Sequence, residues 1–303
     1  MSLNKIWNKF TNRQRYREIK HIEENKKHIT SFQKKHEIEI NLIQKKIKDQ
    51  KKLNFLHSGH AADIINVLPV IKKLSQEHEC NLYININKPI KFYFKHPAGQ
   101  VFINNKIFEM LSPLLKRQKY FNKVEKFIDQ DIDINFDLFR ELPINNLFDN
   151  VRYASVITGI LPDLSESFLE VDRHNQLENK IIIQRTFRYR NNFINYEFLN
   201  NYKDLFFVGT IDEFKDLKNI VKNLEYYECK DFLDMAKTVK SSKFVLANSS
   251  ITFPIAEGLG VPRLLEASPD FPAAQPHGKN AFNFYFQTHF EKLFSYLNNF
   301  NNS

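Results

Sequence analysis

Cysteine is scarce in this sequence, and membrane-length hydrophobic runs are missing from it. Only Cys80 and Cys229 occur in 303 residues, and two distant thiols suggest neither a disulfide framework nor a metal cluster. No stretch approaches the roughly 20 apolar residues of a membrane helix, and Met1-Ser-Leu-Asn-Lys5 has no apolar signal core. The expectation is a cytoplasmic protein, with peripheral contact to the inner face of a membrane left open. No His, Cys and carboxylate set falls at ligand spacing and no Asp-x-Asp pair stands outside the acidic Asp129–Asp133 loop, so neither a metal nor a cofactor is expected. Paired carboxylates of the glycoside-hydrolase kind are also missing.

Positive charge is abundant, but it sits in one place. Residues 1–53 hold 15 Lys and Arg against 6 Asp and Glu, a net of +9 that equals the excess of the whole chain. The body is therefore neutral, which makes nucleic acid a poor partner for it. The same segment contains no Gly and no Pro, although the chain has 11 prolines. Between about Asn8 and Lys52, Ile19, Ile22, Ile29, Ile40, Ile43 and Ile47 recur at alternating three-four spacing, interrupted by Lys26, Gln33 and His36. That spacing predicts one long helix. A solvated charged helix, self-association, and contact with an anionic membrane or RNA remain open for it.

The length allows two domains at roughly 100 to 200 residues each. After the basic segment 1–52, an α/β unit is expected over 53–165, with strands near 53–56, 81–86 and 133–137 and helices near 63–77, 104–118 and 147–160. A second α/β unit is expected over 166–288. Its strands fall at 180–184, 205–209, 243–247 and 262–266, between helices at 211–224, 231–240 and 249–258. A final helix within 289–303 is expected to pack back on the first unit. Strands alternating with helices predict a mostly parallel sheet in each half, two Rossmann-like domains face to face.

Chemistry belongs where a strand runs through a short loop into a helix, because ligands gather at strand carboxyl ends beside helix N-termini. His57-Ser-Gly-His60 is such a loop, and Asp63 follows it. His57, Ser58 and His60 are candidate acceptor-binding groups. In the second half, Gln184-Arg-Thr-Phe-Arg-Tyr-Arg190 follows a strand directly. Arg185, Arg188 and Arg190 with the Thr186 hydroxyl can bind a diphosphate. Ser249, Ser250 and Thr252 open a helix and serve equally as caps or as phosphate ligands. Glu257 on that helix, and Glu266 after the last strand, can accept hydrogen bonds from ribose or sugar hydroxyls.

The order of these motifs resembles the GT-B glycosyltransferases, and within them the ADP-heptose lipopolysaccharide heptosyltransferase family, glycosyltransferase family nine. Ala62-Asp-Ile-Ile-Asn-Val-Leu-Pro69 is similar to the family's Gly-Asp signature after the first strand. Phe207-Val-Gly209, Asp231-Phe-Leu-Asp-Met-Ala236, Phe244-Val-Leu-Ala-Asn-Ser-Ser250 and Ala256-Glu-Gly-Leu-Gly-Val-Pro262 follow the order of its donor-binding half. The resemblance implies an enzyme that moves a sugar from a nucleotide-diphosphate donor, ADP-heptose or a relative, to a cell-surface glycan or lipid-linked acceptor. It implies Asp63 as catalytic base and Gly209 and Asn248 as donor-side residues. Such a transfer needs one base for the acceptor hydroxyl and fixed positive charge for the leaving diphosphate, so a metal-independent inverting displacement is expected. The sequence departs from the family at Ala62, where Gly is usual, and at Asn248-Ser-Ser-Ile-Thr-Phe-Pro254, which lacks the acidic residue and the His of that loop. The alternative is a degenerate GT-B protein that binds a nucleotide-sugar or glycan without turnover.

Overall fold

The structure is a computed structural model and describes residues 3–91, 96–141, 148–174 and 177–300. The basic segment is two helices, α1 (Leu3–Thr11) and α2 (Arg13–Asp49). The single helix expected from the isoleucine spacing is interrupted at Asn12, whose backbone is extended and whose side chain accepts the Arg15 N–H. An asparagine that caps a new helix ends the preceding one. The last turns of α2 dock on the body, where Ile43 is buried, the Gln44 amide reaches the Thr158 carbonyl, and Lys46 Nζ donates to the Ile132 carbonyl.

The first half contains β1 (Lys52–His57), α3 (Ala61–Asn66), α4 (Leu68–Leu74), β2 (Glu79–Ile84), α5 (Asn105–Lys116), β3 (Lys123–Lys126), β4 (Ile134–Asn135) and α6 (Tyr153–Thr158). The helix expected over 63–77 is divided at Val67, just before Pro69. The strands form an all-parallel sheet in the order β3-β2-β1-β4.

The second half runs β5 (Ile181–Gln184), β6 (Leu205–Phe207), α7 (Ile211–Lys218), β7 (Glu225–Tyr226), α8 (Phe232–Ser241), β8 (Phe244–Ala247), α9 (Thr252–Leu259), β9 (Arg263–Glu266), β10 (Ala281–Phe284) and α10 (Gln287–Asn299). Its sheet is also parallel throughout, in the order β10-β9-β8-β5-β6-β7. In both sheets the first strand lies between strands that lead away in opposite directions. That reversal is the topological switch point of a doubly wound fold, where ligands bind at the strand carboxyl ends.

Alternation along the second sheet divides two cores. Ile182, Val245 and Leu265 face one side, while Ile181, Ile183, Phe244, Leu246 and Leu264 face the other. The outer core is closed by α10, with Phe290 stacked on Phe284 at 4.1 Å and Phe294 against Phe244. The final helix therefore packs on β9 and β10 rather than on the first half, because its aromatic face matches that sheet's exposed side. The inner core is continuous with that of the first half: α3 packs on α9 and α5 on α8. The Phe168 and Leu169 N–H groups both donate to the Gly258 carbonyl at this seam.

Candidate active site

Each switch point is held by a side chain reaching across it. In the first half, the loop after β1 is fixed by Asp137, just beyond β4. Its carboxylate accepts the Ser58 N–H at 2.9 Å and the Ser58 hydroxyl, and meets Lys88 Nζ at 2.9 Å and Arg140 Nη1 at 2.6 Å. Burial alone would raise the Asp137 carboxyl, but the Ser58 hydroxyl, His57, Arg140 and Lys88 hold it well below the usual carboxylate range. Ser58 is buried and committed to this contact. His57 is buried as well, accepts the Gly59 N–H at its Nδ1, and is pushed down to about 4 by that burial. His57 and Ser58, read from sequence as acceptor ligands, are thus corrected to framework groups. The inward parity of His57 with Leu53 and Phe55 explains its burial.

His60 and Asp63 lie on the cavity side of the loop. The Asp63 Oδ2 accepts the His60 N–H at 3.0 Å and stands 4.0 Å from Arg140 Nη2, and its side chain is 28% exposed. His60 Nδ1 meets the Phe102 carbonyl, and its ring lies 5.1 Å from that of His96. Burial lowers the pKa of His60, and burial together with the Arg188 cation brings His96 to about 4. His96 is therefore neutral at physiological pH, and burial favours the neutral ring of His60 as well. Arg140 is sandwiched between the Phe102 and Phe139 rings, at 4.3 and 4.5 Å.

In the second half, Asn248 does the clamping. Its Oδ1 accepts the Thr186 N–H, and its Nδ2 donates to the carbonyls of Thr186 and Arg188. Asn248 is fully buried, and the Thr186 hydroxyl is half of this scaffold, accepting the Arg188 N–H. Of the three arginines, only Arg188 lines the cavity. Arg185 is corrected from a diphosphate ligand to a buried ion pair: its Nε and Nη2 reach the two Glu266 oxygens at 2.8 and 3.0 Å. Glu266 is consumed there, fully buried, and does not line this cavity. Arg190 is held by Asp216 at 2.7 Å and by the Phe187 ring. Gly209, at φ +137, lies beside Gln184 and does not line the cavity, and only a glycine fits that conformation without strain.

Ser249, Ser250 and Glu257 line the cavity with Asp63, His60 and Arg188. The helix begins at Thr252, three residues later than expected, and Ser250 folds back on the Asn248 carbonyl. Glu257 is tied to Arg263 and accepts the His277 N–H. Burial raises its carboxyl while Arg263 and His277 oppose that rise. The cavity has a volume of about 430 Å³ and opens between the halves. Sequence reasoning missed Arg140, Asp149, Tyr153, Tyr189 and His277, which also line it. Asp149 and His277 join the halves through a 2.8 Å contact between Oδ2 and Nε2. Tyr189 stands at φ +58 and stacks against Phe271 at 4.7 Å, a conformation uncommon for a bulky residue.

No family model and no curated protein matches the chain. Solved structures do. A family 9 glycosyl transferase from Veillonella parvula aligns with a TM-score of 0.52 and 11% identity, over 81% of this chain and 91% of that one. The E. coli heptosyltransferase WaaC with ADP aligns at 0.54 and 9%, over 82% and 99%. The E. coli ADP-heptose lps heptosyltransferase II aligns at 0.51 and 11%, over 82% and 98%. With two parallel sheets, two switch points and these neighbours, the chain has the GT-B fold, shared here with glycosyltransferases of family nine.

Proposed function

We propose that the protein transfers a sugar from a nucleotide-diphosphate donor of the ADP-heptose type to a hydroxyl of a cell-surface glycan or lipid-linked acceptor. The observation that carries this reading is the shared cavity: a carboxylate from one switch point and a cation with two hydroxyls from the other line the same 430 Å³ space. The ADP held by the fold neighbour WaaC supports an adenine-linked donor.

On the donor side, Arg188 and the Ser249 and Ser250 hydroxyls receive the diphosphate. Glu257 faces the sugar hydroxyls. Tyr153, Tyr189 and Phe271 offer apolar ring faces to the sugar. On the acceptor side, Asp63 takes the proton of the attacking hydroxyl. Its Oδ2 is oriented by the His60 N–H, leaving Oδ1 for that proton. As the hydroxyl oxygen bonds to the anomeric carbon from the face opposite the diphosphate, the bond to the diphosphate oxygen breaks with inversion. The departing negative charge is received by Arg188, so the step is proposed to run without a metal.

Asp63→Asn tests the assignment, since an amide oxygen still accepts the His60 N–H but takes no proton. Turnover should fall by about 10² to 10⁴, with ADP affinity retained. Undiminished transfer would remove Asp63 as the base. If the wild-type protein binds ADP-sugars and turns none over, the binding-protein alternative is the correct one.

A further inference from the structure

The segment before the first sheet carries a net charge of +8, nearly all of the chain's +9, and its single tryptophan. α1 packs back along α2, with Lys5 paired to Glu23. Tyr16, Ile19 and Glu23, spaced along one helix face, are the half-covered positions of α2 between Arg13 and Thr30, and the remaining residues there are exposed. The outer side of α1 has no cover among the described residues: Trp7 is 69% exposed, Phe10 82% and Ile6 42%. Trp7 and Phe10 lie three residues apart and so share a face.

Charge distinguishes this surface from an ordinary apolar patch. From Met1 to Arg17 there are five basic residues, Lys5, Lys9, Arg13, Arg15 and Arg17, and no acidic one. Lys5 and Arg15 pair with Glu23 and Glu18, whereas Lys9, Arg13 and Arg17 form no ion pair among the described residues. A second copy of the same face would bring like charges together around the rings. An anionic bilayer satisfies both features, since Trp and Phe settle at the boundary between headgroups and acyl chains while Lys and Arg meet the phosphates.

We propose that α1 and the first turns of α2 form a docking face for an anionic membrane surface. The other end of α2 is fixed to the first half through Ile43, Gln44 and Lys46, so docking holds the body at a set distance from the bilayer. This inference stands apart from sugar transfer, because lipid binding and turnover are read separately and either can fail alone.

Trp7 is its own probe. The full chain should show a blue-shifted emission when mixed with phosphatidylcholine vesicles containing phosphatidylglycerol, and no shift with phosphatidylcholine alone. Combined Lys9→Ala, Arg13→Ala and Arg17→Ala should weaken partitioning on the order of a hundredfold, and Phe10→Ala should weaken it without changing the salt dependence. Unchanged emission with both vesicles would overturn the proposal, as would equal shifts with both. A shift that grows with protein concentration in vesicle-free buffer, with a dimer's mass, would assign the face to self-association instead. A shift caused by single-stranded RNA and not by vesicles would assign it to nucleic acid.

Discussion

Glu266→Gln separates framework from ligand in the arginine cluster. The Glu266 carboxylate is fully buried and takes four donors: Arg185 Nε at 2.8 Å, Arg185 Nη2 at 3.0 Å, the Asn191 N–H at 2.6 Å and the Tyr196 hydroxyl at 2.6 Å. The amide is nearly isosteric, so packing survives. What changes is that Arg185, itself buried and lying 4.4 Å from the Tyr196 ring centre, loses its counter-charge and faces an amide N–H₂. Breaking a buried pair from one side costs about 3 to 5 kcal/mol, against a total stability of roughly 5 to 15 kcal/mol. For a chain of this size that is a fall in Tm of roughly 10 °C, measurable by calorimetry. ADP affinity, measured by titration calorimetry on the folded variant, should hardly move. Arg188→Gln should give the reverse pattern, a small change in Tm and a loss of ADP affinity of about tenfold to a hundredfold. If Glu266→Gln leaves Tm intact while weakening ADP binding, Arg185 is a ligand and the framework assignment is wrong.

Acid should destabilise the protein through His57, whose folded pKa near 4 lies below the ordinary 6.5. Only the unfolded state takes the proton between those values, so stability falls as pH drops from 6.5 to 4, by about 3 kcal/mol from this residue. His57→Asn, which keeps an acceptor for the Gly59 N–H, should flatten that part of a Tm-against-pH curve, and an unchanged slope would refute the assignment. Gly258→Ala places a methyl carbon 2.6 Å from the Leu169 side chain and 2.8 Å from that of Phe168. The overpacking should cost about 1 to 3 kcal/mol in chemical denaturation, and a stabilised variant would show that the seam between the halves is loose. Asn248→Asp removes the donors to the Thr186 and Arg188 carbonyls and buries a charge among them. Both thermal stability and ADP affinity should fall, and a variant with unaltered ADP affinity would disconnect this clamp from the anion site.

The alternation of apolar strands and helices was legible because both sheets are parallel, and the central strands of the second, buried along their whole length, read as nearly continuous apolar runs. β3 was not, since in Lys123-Val-Glu-Lys126 only Val124 is buried at a sheet edge. β10 hid among aromatics that also suit a core or a ring platform. Asp63 could be placed from its loop and the following helix alone. Asp137 could not, because its main partner, Ser58, lies 79 residues away and nothing local marks it. The arginine cluster was legible as a cluster, but its division into Arg185, Arg188 and Arg190 depends on Glu266 and Asp216, brought in from β9 and α7. The inward position of His57 was available from strand parity with Leu53 and Phe55, and the attraction of a loop histidine obscured it.

The two clamps differ in the groups they must meet, which accounts for an aspartate at one and an asparagine, Asn248, at the other. At the first switch point the clamped loop offers an N–H and a hydroxyl, and Lys88 and Arg140 crowd in, so the clamp must be an anion. At the second, the loop offers one N–H and two carbonyls. A carboxylate can accept the first but would face the two carbonyl oxygens with no proton to give, whereas an amide matches all three. The amide also adds no negative charge beside Arg188. A carboxylate buried within this loop would offset that cation in a low-dielectric setting, where its reach is long. Under the proposed transfer, an amide at position 248 therefore keeps the clamp intact without setting a carboxylate beside the proposed anion site.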